Sequence, residues 1–201
     1  MIEKLIELDR EIFLWLNGNH TDWLDHPIFL LTHTLTWTPL FLVMLYFIVK
    51  EYGAKTWIFL LGLVIAITLA DQLTSTVMKP IFARWRPSRD PSLAGMVHTV
   101  KNYIGGKYGF ASSHAANTFA VATFCFVLLR KTHPWVILMF LWAAFVCYTR
   151  IYLGVHYPGD LLIGGLIGAL FGWLMLRVSL AIEKKVYSKK ATGAEGSSAS
   201  F

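Results

Sequence analysis

Three short stretches of the chain set polar and charged side chains into otherwise apolar sequence. They are MKPIFARWRP with Lys79, Arg84 and Arg86, FASSHAAN with Ser112, Ser113 and His114, and TRIYLGVHYPGD with Arg150, His156 and Asp160. A single charge at the end of an apolar helix snorkels to the headgroups and needs no further explanation. Two imidazoles, several Arg, a Lys, a Ser and a carboxylate converging at one depth do need one. The chemistry that such a group suits is phosphoryl transfer, because a phosphate ester is anionic and its transition state spreads charge over the equatorial oxygens. Arg offers a planar fork for phosphate and Lys a point charge. The Ser112 hydroxyl and the backbone N–H groups that open a helix at Ser113 and His114 form an N-terminus suited to an anion. No Asp or Glu cluster exists to hold magnesium or zinc, so the expected mechanism uses neither metal nor cofactor.

Without a metal-bound hydroxide the nucleophile has to be a side chain, and the two candidates are His114 and His156. Asp160 decides between them. It lies four residues beyond His156 on what should be the first turns of a helix, so the two can share a face. The carboxylate then binds one ring N–H and leaves the other nitrogen free to attack phosphorus. This pairing relies on helix starting near Pro158, where proline at the first position is well tolerated. His114 then protonates the leaving oxygen and later activates water.

The elements that must position these residues are membrane helices. Of the 201 residues, 56% are hydrophobic and 15% charged, against roughly 25% charged in a soluble domain. Such apolar content excludes an intrinsically disordered chain. Five stretches, about 28–49, 57–78, 112–130, 134–153 and 161–182, are long and apolar enough to cross the hydrocarbon layer. The expected fold class is all-α: a polytopic bundle of about five transmembrane helices behind an N-terminal amphipathic helix over 1–19. In that helix Ile2, Leu5, Ile6, Ile12 and Leu16 recur near helical spacing between charged residues, as in a helix lying in the interface. Residues 1–187 form one membrane-embedded domain, and 188–201, small and polar, are expected to be a disordered tail. Alternation of spans brings all three polar stretches to one side. The long connection from Lys79 to Ala111 on that side is expected to carry function.

The same residues resemble the tripartite signature of the type-2 phosphatidic acid phosphatase (lipid phosphate phosphatase) superfamily. Lys79 to Pro87 reads Lys, six residues, Arg-Pro; FASSHAAN supplies Ser-x-His; and Arg150, His156 and Asp160 follow as Arg, five residues, His, three residues, Asp. The likeness spans about residues 57–180. It implies that Lys79, Arg86 and Arg150 hold the phosphate, that Ser112 and the Ser113 backbone amide help bind it, and that His114 is the general acid. His156 is implied to be the nucleophile, forming a phosphohistidine and oriented by Asp160. The chain departs from the usual Pro-Ser-Gly-His in reading Ala111-Ser112-Ser113-His114, and from Ser-Arg in reading Thr149-Arg150. Neither change removes a charge or an imidazole.

The expected partners are the bilayer and a lipid phosphate, with the tail left in the membrane. Undecaprenyl diphosphate, phosphatidylglycerol phosphate, phosphatidate and a lipid A phosphate all fit a bacterial membrane enzyme of this type. A loop from Ser88 to Phe110, with Arg89, Lys101, Tyr103, Lys107 and Tyr108, is the expected seat of selectivity. The rival reading is an anion or lipid transporter that uses the same Arg/His cluster for binding without hydrolysis. Such a protein would place its site near the midplane among broken helices. Arg84 lies outside the fixed motif positions and is read as a substrate contact or a headgroup-facing charge. Asp71, mid-span, is read as a structural hydrogen bond to another span. His33 is expected to face other helices; His20, His26, His98 and His133 are expected to be solvated or interfacial. Gly164, Gly168 and Gly172 mark a close helix contact, and Cys125 and Cys147 are expected as separate buried thiols.

The formal charge of +6 first hints at nucleic acid, but its placement argues otherwise. The whole excess falls on Lys50, Lys55, Arg130, Lys131, Arg177 and the 184–190 cluster, on the side away from the polar stretches. By the positive-inside rule that side is cytoplasmic. The expected location is the bacterial inner membrane, with the site facing the periplasm or exterior and no nucleic-acid partner.

Overall fold

A computed structural model describes residues 2–195, with side chains as far as residue 187. Among these residues no strand forms, and one antiparallel bridge pairs Trp85 with Tyr108. Helix α1 (Ile2–Gly18) is the expected amphipathic helix. Its Ile2, Leu5, Leu8 and Trp15 point outward, while Phe13 and Asn17 are buried. Asn17 holds it in place. Its amide donates to the carbonyls of Ile151 and Tyr152, each at 3.0 Å, and its Oδ1 accepts from the His98 N–H at 2.8 Å. These carbonyls end another helix and lack partners within it, so one buried amide ties three segments together.

The apolar stretch expected over 28–49 is not one helix. Helix α2 (Asp22–Leu31) stops at Thr32, a 3₁₀ turn covers Thr34–Trp37, and α3 runs Thr38–Tyr52. Side chains of the Thr-rich segment compete for the backbone. Thr36 Oγ1 donates to Leu30 O at 2.7 Å and the Trp37 indole to Leu31 O at 2.8 Å, and Pro39 then opens α3. Hydropathy alone does not register such a break. His33, expected against other helices, is exposed on this turn with its ring edge-on to Phe29.

A 3₁₀ turn at Gly53–Lys55 leads to α4 (Thr56–Gln72), which continues through a π-helical segment, Leu73–Met78, into α5 (Lys79–Phe82). Ala83, at φ 44°, ends it. Helices α6 (Ser113–Leu129), α7 (Leu138–Tyr152) and α8 (Pro158–Glu195) complete the bundle. The apolar stretches Thr34–Phe82, Pro134–Tyr152 and Pro158–Tyr187 are long enough to cross a membrane, and Ser113–Leu129 is a shorter apolar helix. Helix α8 continues to Glu195, into the segment expected as a tail from residue 188. Residues 196–201 lie outside the described residues.

The core joins α3, α4, α6, α7 and α8 through Met44, Phe59, Phe124, Leu129, Trp142 and Leu176. Both cysteines are free thiols, Cys125 buried and Cys147 partly so. The most intimate contact is α6 against α8. A Cβ on Gly164 or Gly168 would collide with the carbonyl of Ser112 or Ala116, and one on Gly172 would lie 2.5 Å from Ala120 O. The glycine repeat is therefore a packing face, filled by backbone rather than by a ligand. Gly168→Val is expected to cost about 1–3 kcal/mol through overpacking, read as a lower thermal unfolding midpoint in detergent. Gly18→Ala, where an added Cβ meets nothing within 4 Å, should leave the midpoint unchanged.

Candidate active site

The link between α7 and α8 carries His156, and the start of α8 sets its partner. Pro158 opens the helix, and Asp160, at its third position, folds its carboxylate back so that Oδ2 accepts the Tyr157 N–H at 3.1 Å. This is the carboxylate half of a capping box. The same oxygen lies 3.3 Å from His156 Nδ1. The pairing expected from shared helix face therefore has a different origin. His156 precedes the helix, and the cap turns the carboxylate toward it. The Asp160 carbonyl accepts from Ser112 N at 3.0 Å, so the same residue also joins the starts of α6 and α8.

The other ring nitrogen, Nε2, is 3.0 Å from Arg86 Nη1. A guanidinium has no acceptor, so Nε2 must be the acceptor and the ring proton sits on Nδ1, facing Asp160. Burial first, then the charges of Arg86, Arg150 and Lys79, holds the His156 imidazole well below its ordinary pKa. It is a neutral base with its lone pair among cations. Arg86 is fixed by donating through Nε to Tyr108 O and through Nη1 to Val155 O, each at 3.1 Å.

Arg150, 2% exposed, donates to Thr32 Oγ1 at 2.6 Å and to the Tyr103 hydroxyl at 3.1 Å. Among the described residues its Nε has no hydrogen-bond partner. Thr149 Oγ1 donates to Val146 O at 2.7 Å and lies 3.0 Å from Thr32 Oγ1, so the hydroxyl in place of the usual Ser also contacts the threonine that holds Arg150. Lys79 Nζ donates to Ser113 Oγ at 2.8 Å, and Ser113 in turn lies 2.7 Å from Ser75 on the π-helical segment. Asp71 accepts from Asn117 on α6 at 3.2 Å, the interhelical hydrogen bond expected of it, while also lining the cavity.

That cavity is about 720 Å³. Lys79, Arg86, Ser113, His114, Arg150 and His156 form one region of its wall, and apolar side chains of α3, α4 and α7, among them Met44, Leu63 and Trp142, form another. Among the described residues, no three His, Cys, Asp or Glu side chains gather as a metal centre. The arrangement brings two imidazoles and three cations together in a pocket continuous with an apolar-lined space.

The sequence model of the PAP2 superfamily matches residues 57–184. The chain belongs to the PAP2 superfamily. A lipid A 4'-phosphatase of Bacteroides thetaiotaomicron is 35% identical over 199 residues, covering 98% of this chain and 88% of the relative. A lipid A 4'-phosphatase of Porphyromonas gingivalis is 37% identical, with 89% of this chain and 76% of the relative covered. A transmembrane PAP2-type phosphatidylglycerolphosphate phosphatase of Bacillus subtilis shares the fold, with a TM-score of 0.64 at 21% identity over 89% of this chain and 88% of its own. The protein is thus a membrane lipid phosphatase, and the transporter reading of the same cluster falls away.

Two expectations about this PAP2 phosphatase change. Ser112 is fully buried, does not line the cavity and caps α6, its hydroxyl accepting from Ala115 N at 3.4 Å. The hydroxyl that reaches the cations belongs to Ser113, because the residue after a cap begins the helix and can point inward. Arg84 does not line the cavity: its guanidinium joins Asp160 to Asp9. Thr32, Asp9 and Gly109 were not legible as site residues, since none belongs to a motif. Of the selectivity loop, Tyr103 reaches the cavity, whereas Arg89 is engaged by Gly105 O, Lys107 by the Trp85 and Tyr108 rings, and Lys101 by His26. Of the histidines expected to be solvated or interfacial, His98 stacks on His20 and pairs with Asp25, and His133 pairs with Glu51.

Behind the dyad, burial pushes the Tyr157 phenol above its ordinary pKa, reinforced by its hydrogen bond to Asp90. Burial also works against the Asp90 charge, but hydrogen bonds from Ser92 and Tyr157 and the Arg10 charge hold its carboxyl below the usual range. Gly109 sits where a Cβ would lie 2.9 Å from Asp160 Oδ2 and 3.6 Å from His156 Nδ1. Gly109→Ala is expected to lower kcat for phosphate release about 10- to 100-fold by misplacing the dyad. Gly106→Ala, in open space, should leave kcat unchanged.

Proposed function

We propose that this protein removes a phosphate monoester from a lipid A-type headgroup by a metal-independent, two-step displacement. The observation that carries the mechanism is the neutral His156 imidazole with Nε2 turned to Arg86 and Nδ1 turned to Asp160. Nε2 attacks phosphorus; the phosphorus–oxygen bond to the leaving alcohol breaks, and His114 gives the leaving oxygen its proton. Arg86, Arg150 and Lys79 take up the charge that grows on the equatorial oxygens. Asp160 stabilises the positive ring formed when Nε2 bonds to phosphorus. His114, now neutral, removes a proton from water, which attacks the phosphohistidine and releases inorganic phosphate. Ser113, through its hydroxyl to Lys79, and the backbone at the start of α6 are assigned to phosphate binding, with Ser112 holding that backbone in place.

Preference for a lipid A 4'-phosphate over undecaprenyl diphosphate, phosphatidylglycerol phosphate or phosphatidate is supported by the two relatives bearing that name, one matching nearly the whole chain. The continuous cavity suits a headgroup at the cations and acyl chains along α3 and α4. We place residues 1–187 in one membrane-embedded unit of five spans, in the bacterial inner membrane. With the three motif cations Lys79, Arg86 and Arg150 set aside, the remaining Lys and Arg lie mostly in the opposite loops, which supports a site on the periplasmic or outer face.

Purified protein in detergent micelles with EDTA should release phosphate from a lipid A phosphate faster than from the other three lipids. His156→Ala should abolish both release and acid-labile ³²P labelling while keeping the wild-type unfolding midpoint. Release from none of the four substrates, or full activity of His156→Ala, would sink this reading.

A further inference from the structure

Arg84 stands two residues before the Arg86 guanidinium that meets His156, yet it approaches the dyad from the Asp160 side. Its Nη1 donates to Asp160 Oδ1 at 2.9 Å and its Nη2 to Asp9 Oδ2 at 2.7 Å, so one guanidinium bridges carboxylates on α8 and α1. Its plane lies over the Tyr157 ring, 4.1 Å from the centroid. Asp9 reaches α8 directly as well, its Oδ1 accepting the Gly159 N–H at 2.7 Å. A Cβ on Gly159 would lie 2.8 Å from Asp9 Oδ2, so the two helices meet closely there.

The consequence concerns the orientation of Asp160. Its Oδ2 serves both Tyr157 N and His156 Nδ1, and the histidine contact, at 3.3 Å, is the longer of the two. The cation on Oδ1 fixes which oxygen faces the ring, because the fork of an arginine that is itself held cannot follow a rotating carboxylate. Arg84 is held by Asp9. Asp9 lies on α1, outside residues 57–184 that match the superfamily. Arg10, on the same helix, pairs instead with Asp90 at 3.0 Å.

We propose that Asp9 and Arg84 are positioning residues for the catalytic dyad: Asp9 orients Arg84, Arg84 orients Asp160, and Asp160 keeps His156 Nε2 toward the phosphate. This rests on His156 being the attacking group. It makes α1 a working part of the active site, although no α1 residue lines the cavity.

Asp9→Asn separates the links, because the amide oxygen still accepts from Gly159 N–H while its charge for Arg84 is gone. With a lipid phosphate in micelles, Asp9→Asn and Arg84→Gln should each lower kcat about 10- to 100-fold. KM should stay within about twofold, since substrate binding is not touched. The double variant should fall no further than Arg84→Gln alone, because both cut one chain. Arg84→Lys, charged but unable to fork, should be intermediate. Arg10→Gln should keep the wild-type kcat. The ring ¹⁵N shifts of His156, assigned by their loss in His156→Ala, should move in Asp9→Asn with no change in unfolding midpoint. That readout needs no turnover, so a protein inactive on every lipid phosphate would overturn the proposed function while the shifts still decide the link. Unchanged kcat and shifts in Asp9→Asn, additive losses in the double variant, or a loss shared by Arg10→Gln and accompanied by a lower midpoint would overturn the proposal.

Discussion

A carboxylate with no exposed surface must be surrounded by donors, and the structure around Asp160 is arranged to supply them. One oxygen takes the Tyr157 N–H and the His156 ring; the other takes Arg84; the carbonyl takes Ser112 N. An unpaired charge at such a depth would be costly, whereas a paired and hydrogen-bonded one is tolerated. The donors arrive from three parts of the chain: the α7–α8 link, the segment after α5, and the start of α6. Satisfying one buried anion thus brings all three polar motifs to one point.

The rest of the bundle serves that convergence. Glycines on α8 let the backbone of α6 approach closely, which sets the height at which His114 and Ser113 enter the cavity. The π-helical segment between α4 and α5 sets the register of Ser75 and Lys79, the two groups that meet Ser113. Such segments insert an extra residue into a helical turn and rotate the residues beyond it. The cations repel one another, and the protein holds them by side chains and carbonyls that accept without neutralising: Thr32 and Tyr103 for Arg150, Tyr108 and Val155 carbonyls for Arg86.

Much of the site was legible because its chemistry requires particular residue types at fixed spacing. Lys79, Arg86, His114, Arg150 and His156 all line the same cavity. The departures have local causes. Ser112 caps α6 while the Ser113 hydroxyl meets Lys79, because the capping position of a helix and its first residue point in different directions. Arg84 looked optional because its partners, Asp9 and Asp160, are distant in sequence. The break at Thr32–Trp37 escaped a hydropathy reading because threonine side chains bonded to backbone carbonyls leave composition unchanged.

By itself the sequence determined the chemistry and the environment: helices that are apolar along most of their length, and a small set of charged residues whose types suit only an anionic substrate. Periodicity and composition are local properties, and a motif carries its own spacing. Only the tertiary structure decided which serine faces the cations, which tautomer His156 adopts, and that an N-terminal helix outside the motifs holds Asp160 through Arg84. Those outcomes depend on distances between residues far apart in the chain. Packing sets such distances to a few tenths of an ångström, and no pattern along the sequence encodes them.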